Sequence, residues 1–191
     1  MRLFIAINLP DPAIEHLRRV QAHCRSFAPD ANYTRDVNLH LTLRFLGETP
    51  EDKLEKLKDS LRKTCDGGPL RIAASQIVSF PPRAPARVIG AYIGGPSSEQ
   101  LTLLQSAIDR AVRSLGFKAG ESGFTPHVTL AQLDRPLPWP MVDKIERATV
   151  RIWPGPTFEA RRVYLMQSDP TAAGSKYRMV ADFDLYGENS G

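Results

Sequence analysis

His40-Leu41-Thr42-Leu43 and His127-Val128-Thr129-Leu130 repeat one pattern, an imidazole and a hydroxyl two residues apart with leucine following. Side chains alternate faces along a strand, so each tetrapeptide presents its His and Thr together and turns its apolar residues the other way. Two such copies in one cleft would suit cleavage of a phosphodiester. One imidazole takes a proton from the attacking oxygen, and an imidazolium on the far side protonates the departing one. The hydroxyls of Thr42 and Thr129 donate to the non-bridging oxygens, where charge accumulates. A single copy would read as a strand histidine satisfied by its neighbours, and a single Thr as plain β-propensity. The repetition favours chemistry. No third His, Cys or acid stands at metal spacing beside either motif, so a zinc site is not expected. His16 and His23 carry no Thr two residues on and read as solvated or boundary residues of a helix.

The elements that must position these groups follow from periodicity. Arg2 to Asn8 alternates as a strand buried on both faces, and Asp11-Pro12 opens a helix whose stripe is Ile14, Leu17, Val20 and Cys24. Tyr33 to Asp36 reads as a short extended segment. Leu39 to Leu46 is the first motif strand, with His40, Thr42 and Arg44 on one face by strict alternation. Thr49-Pro50 caps a helix buried through Leu54, Leu57 and Leu61, and Leu70 to Phe80 is a strand with a slip before Ile77. Pro81, Pro82 and Pro85 form a stiff connector, the best candidate boundary between lobes. The series then restarts with a strand from Arg87 to Gly94, a helix capped at Ser97 or Ser98, and the second motif strand after Pro126. Trp139 to Arg147 reads as a helix, Val150 to Trp153 and Phe158 to Gln167 as strands, and Tyr177 to Tyr186 as a closing strand before a frayed tail, Gly187 to Gly191.

Moving the first strand and helix by the 87 residues that separate His40 from His127 lands on the strand and helix that open the second half. Two similar lobes about a pseudo-two-fold axis are therefore expected, with the two histidines on opposite walls of a central cleft. One domain of two lobes, about 1–82 and 83–191, accounts for the chain, with terminal strands able to cross between them.

Composition sets looser bounds. With 191 residues and 42% hydrophobic content the chain can bury a core. A net charge of +4 suits an anionic partner but is spread along the sequence. Two distant cysteines, no membrane-length apolar run and no signal-like opening point to a soluble, cytoplasmic, monomeric protein.

RLFIAINLP, NLHLTLRFLGE, FTPHVTLAQ and the closing Tyr164 to Ser168, Gly174 and Tyr177 make the chain resemble the two-histidine (2H) phosphoesterases, and among them the LigT-like RNA 2′,3′-cyclic phosphodiesterases, also called 2′,5′ RNA ligases. The resemblance implies a bilobal α+β fold, a pseudo-two-fold duplication in which each lobe is an antiparallel sheet with helices packed outside a central cleft. It also implies hydrolysis of terminal 2′,3′-cyclic phosphates of RNA or nucleosides to 2′-phosphates, with 2′,5′ joining as a side activity and no cofactor. It implies His40 as the acid toward the 3′ oxygen, His127 as the base that activates water, and Thr42 and Thr129 as phosphate ligands. Family members often carry Arg five residues after the second His, where this chain has Gln132; Arg135 or Arg44 could supply the missing charge. Phe124 and Tyr33 are candidate base-stacking residues. The rival readings are a module that binds RNA ends without turnover, and a ligase.

Overall fold

The computed structural model describes residues 1–120, 123–172 and 174–185; Tyr186 and the tail from Gly187 to Gly191 lie outside them. Nine strands are β1 (Arg2–Asn8), β2 (Asn32–Tyr33), β3 (His40–Glu48), β4 (Leu70–Phe80), β5 (Ala86–Gly94), β6 (His127–Leu137), β7 (Phe158–Ala160), β8 (Arg162–Thr171) and β9 (Gly174–Asp184). Among the described residues the four α-helices are α1 (Asp11–Arg25), α2 (Leu54–Thr64), α3 (Ser98–Ser114) and α4 (Trp139–Thr149). The strands form one curled antiparallel sheet in the order β7-β4-β5-β6-β3-β1-β8-β9, with β2 added on β6. α1 adjoins α4 and α2 adjoins α3, and their apolar stripes cover one face of the sheet. The core between them takes Ile5 and Ile7 of β1, Leu41 of β3, Ile89 and Ile93 of β5 and Leu130 of β6, against Leu17, Leu57, Leu61, Leu101 and Ile108 of the helices.

The duplication is thus α+β with four helices, but its halves share one sheet. β6-β5-β4-β7 mirrors β3-β1-β8-β9, and the two motif strands meet at the centre. They pair through Leu41 and Val128. The histidines therefore rise from neighbouring strands of one floor rather than from opposite walls. Each half also exchanges a strand: β4 pairs with β5, and β8 returns to β1. Residues 81–85 consequently form a tight hairpin between β4 and β5, and residue 82 marks no spatial boundary.

Local differences have local causes. Ser97 stands at the N-cap of α3 as expected, but its hydroxyl accepts from the Arg71 amide and the Thr49 hydroxyl donates to the Gly47 carbonyl, so neither side chain makes a capping hydrogen bond. Val150–Ile152 continues α4 as a 3₁₀ turn instead of a strand. The segment from Phe158 breaks at Arg161 because β7 pairs with β4 whereas β8 pairs with β1 and β9.

Beyond the Leu41–Val128 pair the motif strands diverge, and their carbonyls need donors from elsewhere. Gln105 of α3 donates to the Leu43 carbonyl at 3.3 Å. Gln21 of α1 donates to the Leu130 carbonyl and to that of Thr34, both at 2.9 Å. Leu43 and Leu130 are equivalent under the 87-residue shift, so each half sends a glutamine to the other half's motif strand. Gln21 is 3% exposed, and Gln21→Met leaves the Thr34 carbonyl without its side-chain donor. A loss of about 1–3 kcal/mol in urea unfolding is expected, with a smaller loss for Gln105→Met.

Candidate active site

Continuing the Leu41–Val128 register by one residue on each side places Thr129 across from His40 and Thr42 across from His127. All four project away from the helices, because Leu41 and Val128 point into the core. Directly opposite residues have Cβ atoms about 5 Å apart and diagonal ones about 7–8 Å, room for one phosphate among two imidazoles and two hydroxyls. Neither hydroxyl is engaged by another described residue.

Each ring is held the same way. His40 Nδ1 lies 2.7 Å from the Asn38 carbonyl and His127 Nδ1 2.8 Å from that of Thr125. A carbonyl can only accept, so Nδ1 carries the proton on both rings and Nε2 is left for the groove. The supports differ. Asn38 uses its side chain to reach the Ser175 carbonyl at 2.9 Å, tying the β8–β9 hairpin beside His40, whereas Thr125 is fixed by the following Pro126, whose carbonyl accepts from the Ile93 amide.

Aromatic rings complete the packing. Phe4 and Tyr177 contact His40 at centroid distances of 4.9 and 5.2 Å, and Phe80 contacts His127 at 4.5 Å. Gly90 admits the second imidazole, since a Cβ there would stand 3.1 Å from His127 Cδ2. Sequence reasoning missed Phe4, Phe80 and Phe45; only the alternation of β1 signals that Phe4 shares the face used by His40. Burial pushes the His40 pKa below its ordinary value; the hydrogen bond to the Asn38 carbonyl opposes this and the proximity of His127 adds to it.

The remaining candidates are sorted by two bulges. Thr42 pairs with Ala6 but Arg44 pairs with Ile5, a register shift that takes Arg44 off the His40 face and puts Phe45, opposite Phe4, in its place. Arg44 is consequently no phosphate ligand: its guanidinium binds Asp109 of α3 at 2.7 Å and the Phe45 and Lys118 carbonyls. In β6 the equivalent shift works the other way. Thr129 pairs with Gly90 and Gln132 with Val88, so Gln132 rejoins the His127 face and is exposed there. Arg135 instead lines a separate cleft of about 500 Å³ with Phe27, Pro29 and Leu133. Phe124 packs against the core. Tyr33 pairs with Ala131 on the helix-facing side, gives its hydroxyl to the Ala28 carbonyl and lies under Arg25. Neither is a stacking surface for the groove. Among the described residues no cluster of His, Cys, Asp or Glu could hold a metal, and no helix is long and apolar enough to cross a membrane.

Two histidine–threonine pairs thus face one another on adjacent strands of a duplicated, curled sheet. Residues 9–172 match the family described as the 2′-5′ RNA ligase superfamily, and the chain belongs to it. The RNA 2′,3′-cyclic phosphodiesterase of Methanocaldococcus jannaschii is 30% identical over 188 residues, 96% of this chain and 100% of the relative. The protein of the same name from Methanothermobacter thermautotrophicus is 26% identical over 97% of this chain and 99% of its own. Among solved structures, TT0787 of Thermus thermophilus superposes with a TM-score of 0.81 at 27% identity, covering 98% of this chain and 100% of that one. Escherichia coli LigT complexed with 3′-AMP shares the fold, with a TM-score of 0.71 at 22% identity over 96% of each chain.

His16 differs from its expected place. It is 3% exposed, packed on Trp153 at 5.2 Å, and its Nε2 has no partner. Burial and Arg19 lower its pKa. With folded values of His16 and His40 below 6.5, the unfolded chain binds more protons between the lowered values and 6.5. Stability must then rise with pH through that window and level off above it. Urea unfolding at about pH 5 and about pH 8 should show this difference, and His16→Leu should shrink it.

Proposed function

We propose that the protein is a metal-independent RNA 2′,3′-cyclic phosphodiesterase that converts a terminal cyclic phosphate to a 2′-phosphomonoester. The observation that carries this reading is the pair of Nδ1-anchored imidazoles, each facing the other motif's Thr across one strand seam. In the reaction, water attacks phosphorus and gives a proton to Nε2 of His127, while the bond to the 3′ oxygen breaks and that oxygen takes the proton of His40 Nε2. Thr42 and Thr129 donate to the non-bridging oxygens, and the exposed Phe45 ring receives the terminal base. One chain supplies every group, so the enzyme acts as a monomer. We place it in the cytoplasm, where its two buried free cysteines persist reduced.

Purified protein given RNA ending in a 2′,3′-cyclic phosphate in excess EDTA should yield the 2′-phosphate. His40→Ala or His127→Ala should each lower kcat by about 10²- to 10⁴-fold. Thr42→Val or Thr129→Val should cost no more than about 2.7–4 kcal/mol of transition-state binding. Appearance of a 3′-phosphate, or turnover unaffected in both His variants, rules the mechanism out.

The lowered pKa of His40 has a kinetic consequence. In the free protein the acid form of His40 is disfavoured, and a phosphodiester anion in the groove reverses this by favouring the imidazolium. Activity is lost as pH rises through the pKa of the acid. That loss should begin below pH 6.5 in kcat/KM, which reports the free enzyme, and at higher pH in kcat, which reports the complex. Coincident limbs would give the acid role to another group.

A further inference from the structure

Phe45 and Met179, with exposures of 66% and 56%, stand at the two ends of one row across the sheet. Phe45 pairs with Phe4, Phe4 with Met166, and Met166 with Met179. Directly paired residues share a face, so all four project from the side that carries His40. Phe4 is nearly buried, its ring 6.1 Å from Phe45 and 4.9 Å from His40; Met166 is half-buried. Tyr177, two residues before Met179 and on the same face, packs on Phe4 at 4.9 Å. A lone exposed apolar residue means little, but here accessible apolar surface lies at both ends, Phe45 at one and Met166 with Met179 at the other, joined through the buried Phe4 beside His40, and such an arrangement marks a contact surface.

The row has a length and a direction. Three strand-to-strand steps of about 4.8 Å give about 14 Å, more than one base covers and enough for two. β9 is the last strand of the sheet, so the row opens outward at Met179. Arg44, next to Phe45 in sequence, faces away from the row and is fixed to Asp109 and to the Lys118 carbonyl. The second half has no counterpart, since the 87-residue shift carries Phe45 onto Gln132, whose neighbour in the row is Val88. No charged side chain belongs to the row. The nearest charges on its face of β8 and β9, Arg162 with Asp182 and Asp184, are paired with one another.

We propose that this row seats the base of the nucleotide preceding the cyclic-phosphate terminus, on the Met166 and Met179 thioethers, while Phe45 holds the terminal base. The substrate is then an RNA 3′ end rather than a free nucleoside cyclic phosphate. This rests on the phosphodiesterase reading. Sulfur packs well on an aromatic face, and stacking without charge is tolerant of base identity and nearly insensitive to salt.

The test compares a nucleoside 2′,3′-cyclic phosphate with a dinucleotide ending in the same group. Wild-type kcat/KM should favour the dinucleotide by about tenfold, as expected for one added base contact. Met179→Glu should remove that advantage and change the mononucleotide value less than twofold, while Met179→Leu keeps it. A wild-type ratio near one, or an equal loss on both substrates in Met179→Glu, overturns the proposal. Sedimentation that turns from dimer to monomer in Met179→Glu with the ratio intact would show a self-association surface and also overturns it. If neither substrate is cleaved, the phosphodiesterase reading fails. Calorimetric binding of the 2′-phosphorylated mononucleotide and dinucleotide then decides the row: tighter dinucleotide binding that Met179→Glu abolishes supports it, and equal binding overturns it.

Discussion

The pairing of Leu41 with Val128 is the constraint on which the site depends. It joins two sheet halves that are otherwise built alike, and it fixes the histidines on either side of it without any contact between their rings being needed. A strand seam of one pair would be weak if the diverging ends were left open. Gln21 and Gln105, each reaching from one half to the equivalent leucine carbonyl of the other, help satisfy those ends, the Leu130 carbonyl accepting from the Thr34 amide as well. The spacing of the two motifs is thereby set by backbone register, which tolerates no intermediate values, instead of by side-chain packing, which does.

The same register logic explains what the groove contains beyond the four motif groups. A bulge after each Thr turns the strand face over once. In β3 this removes Arg44 and presents Phe45; in β6 it removes Ala131 and presents Gln132. The charge that strict alternation assigns to the groove is therefore spent on Asp109, where it anchors α3 to the outer side of β3. What the groove face carries beside the four motif groups is thus the neutral amide of Gln132 and the ring of Phe45.

Much of this was legible from residue order. The motif strands, the four helices and the 87-residue duplication all follow from periodicity, and α3 begins at the residue that the shift predicts from Asp11. A crossing of terminal strands between the halves was foreseeable, but that β4 and β8 are the strands exchanged was not legible, because both have the same local pattern wherever they pair; only long-range register decides it. The bulges were hidden for a related reason, since alternation carries no mark of an extra residue in Leu43 or Leu130. His16 shows a third limit: a polar residue within an apolar stripe reads as a boundary residue until Trp153 and Gly155, far along the chain, are seen to cover it.

Duplication first makes two equal sites, and function requires them to differ. Here the difference lies in what holds each ring. Pro126 gives His127 a rigid backbone support and an open, glycine-lined neighbour in Gly90. His40 is held through Asn38 by the β8–β9 hairpin and enclosed by Phe4 and Tyr177, which desolvates it. An enclosed imidazole yields its proton readily once an anion has loaded it, which suits the side of the phosphate where an alkoxide must leave. The more open ring suits the side where water must enter. The apolar row lies on the enclosed side as well, so the proposed mechanism puts nucleoside and leaving oxygen over one half of the sheet and the attacking water over the other.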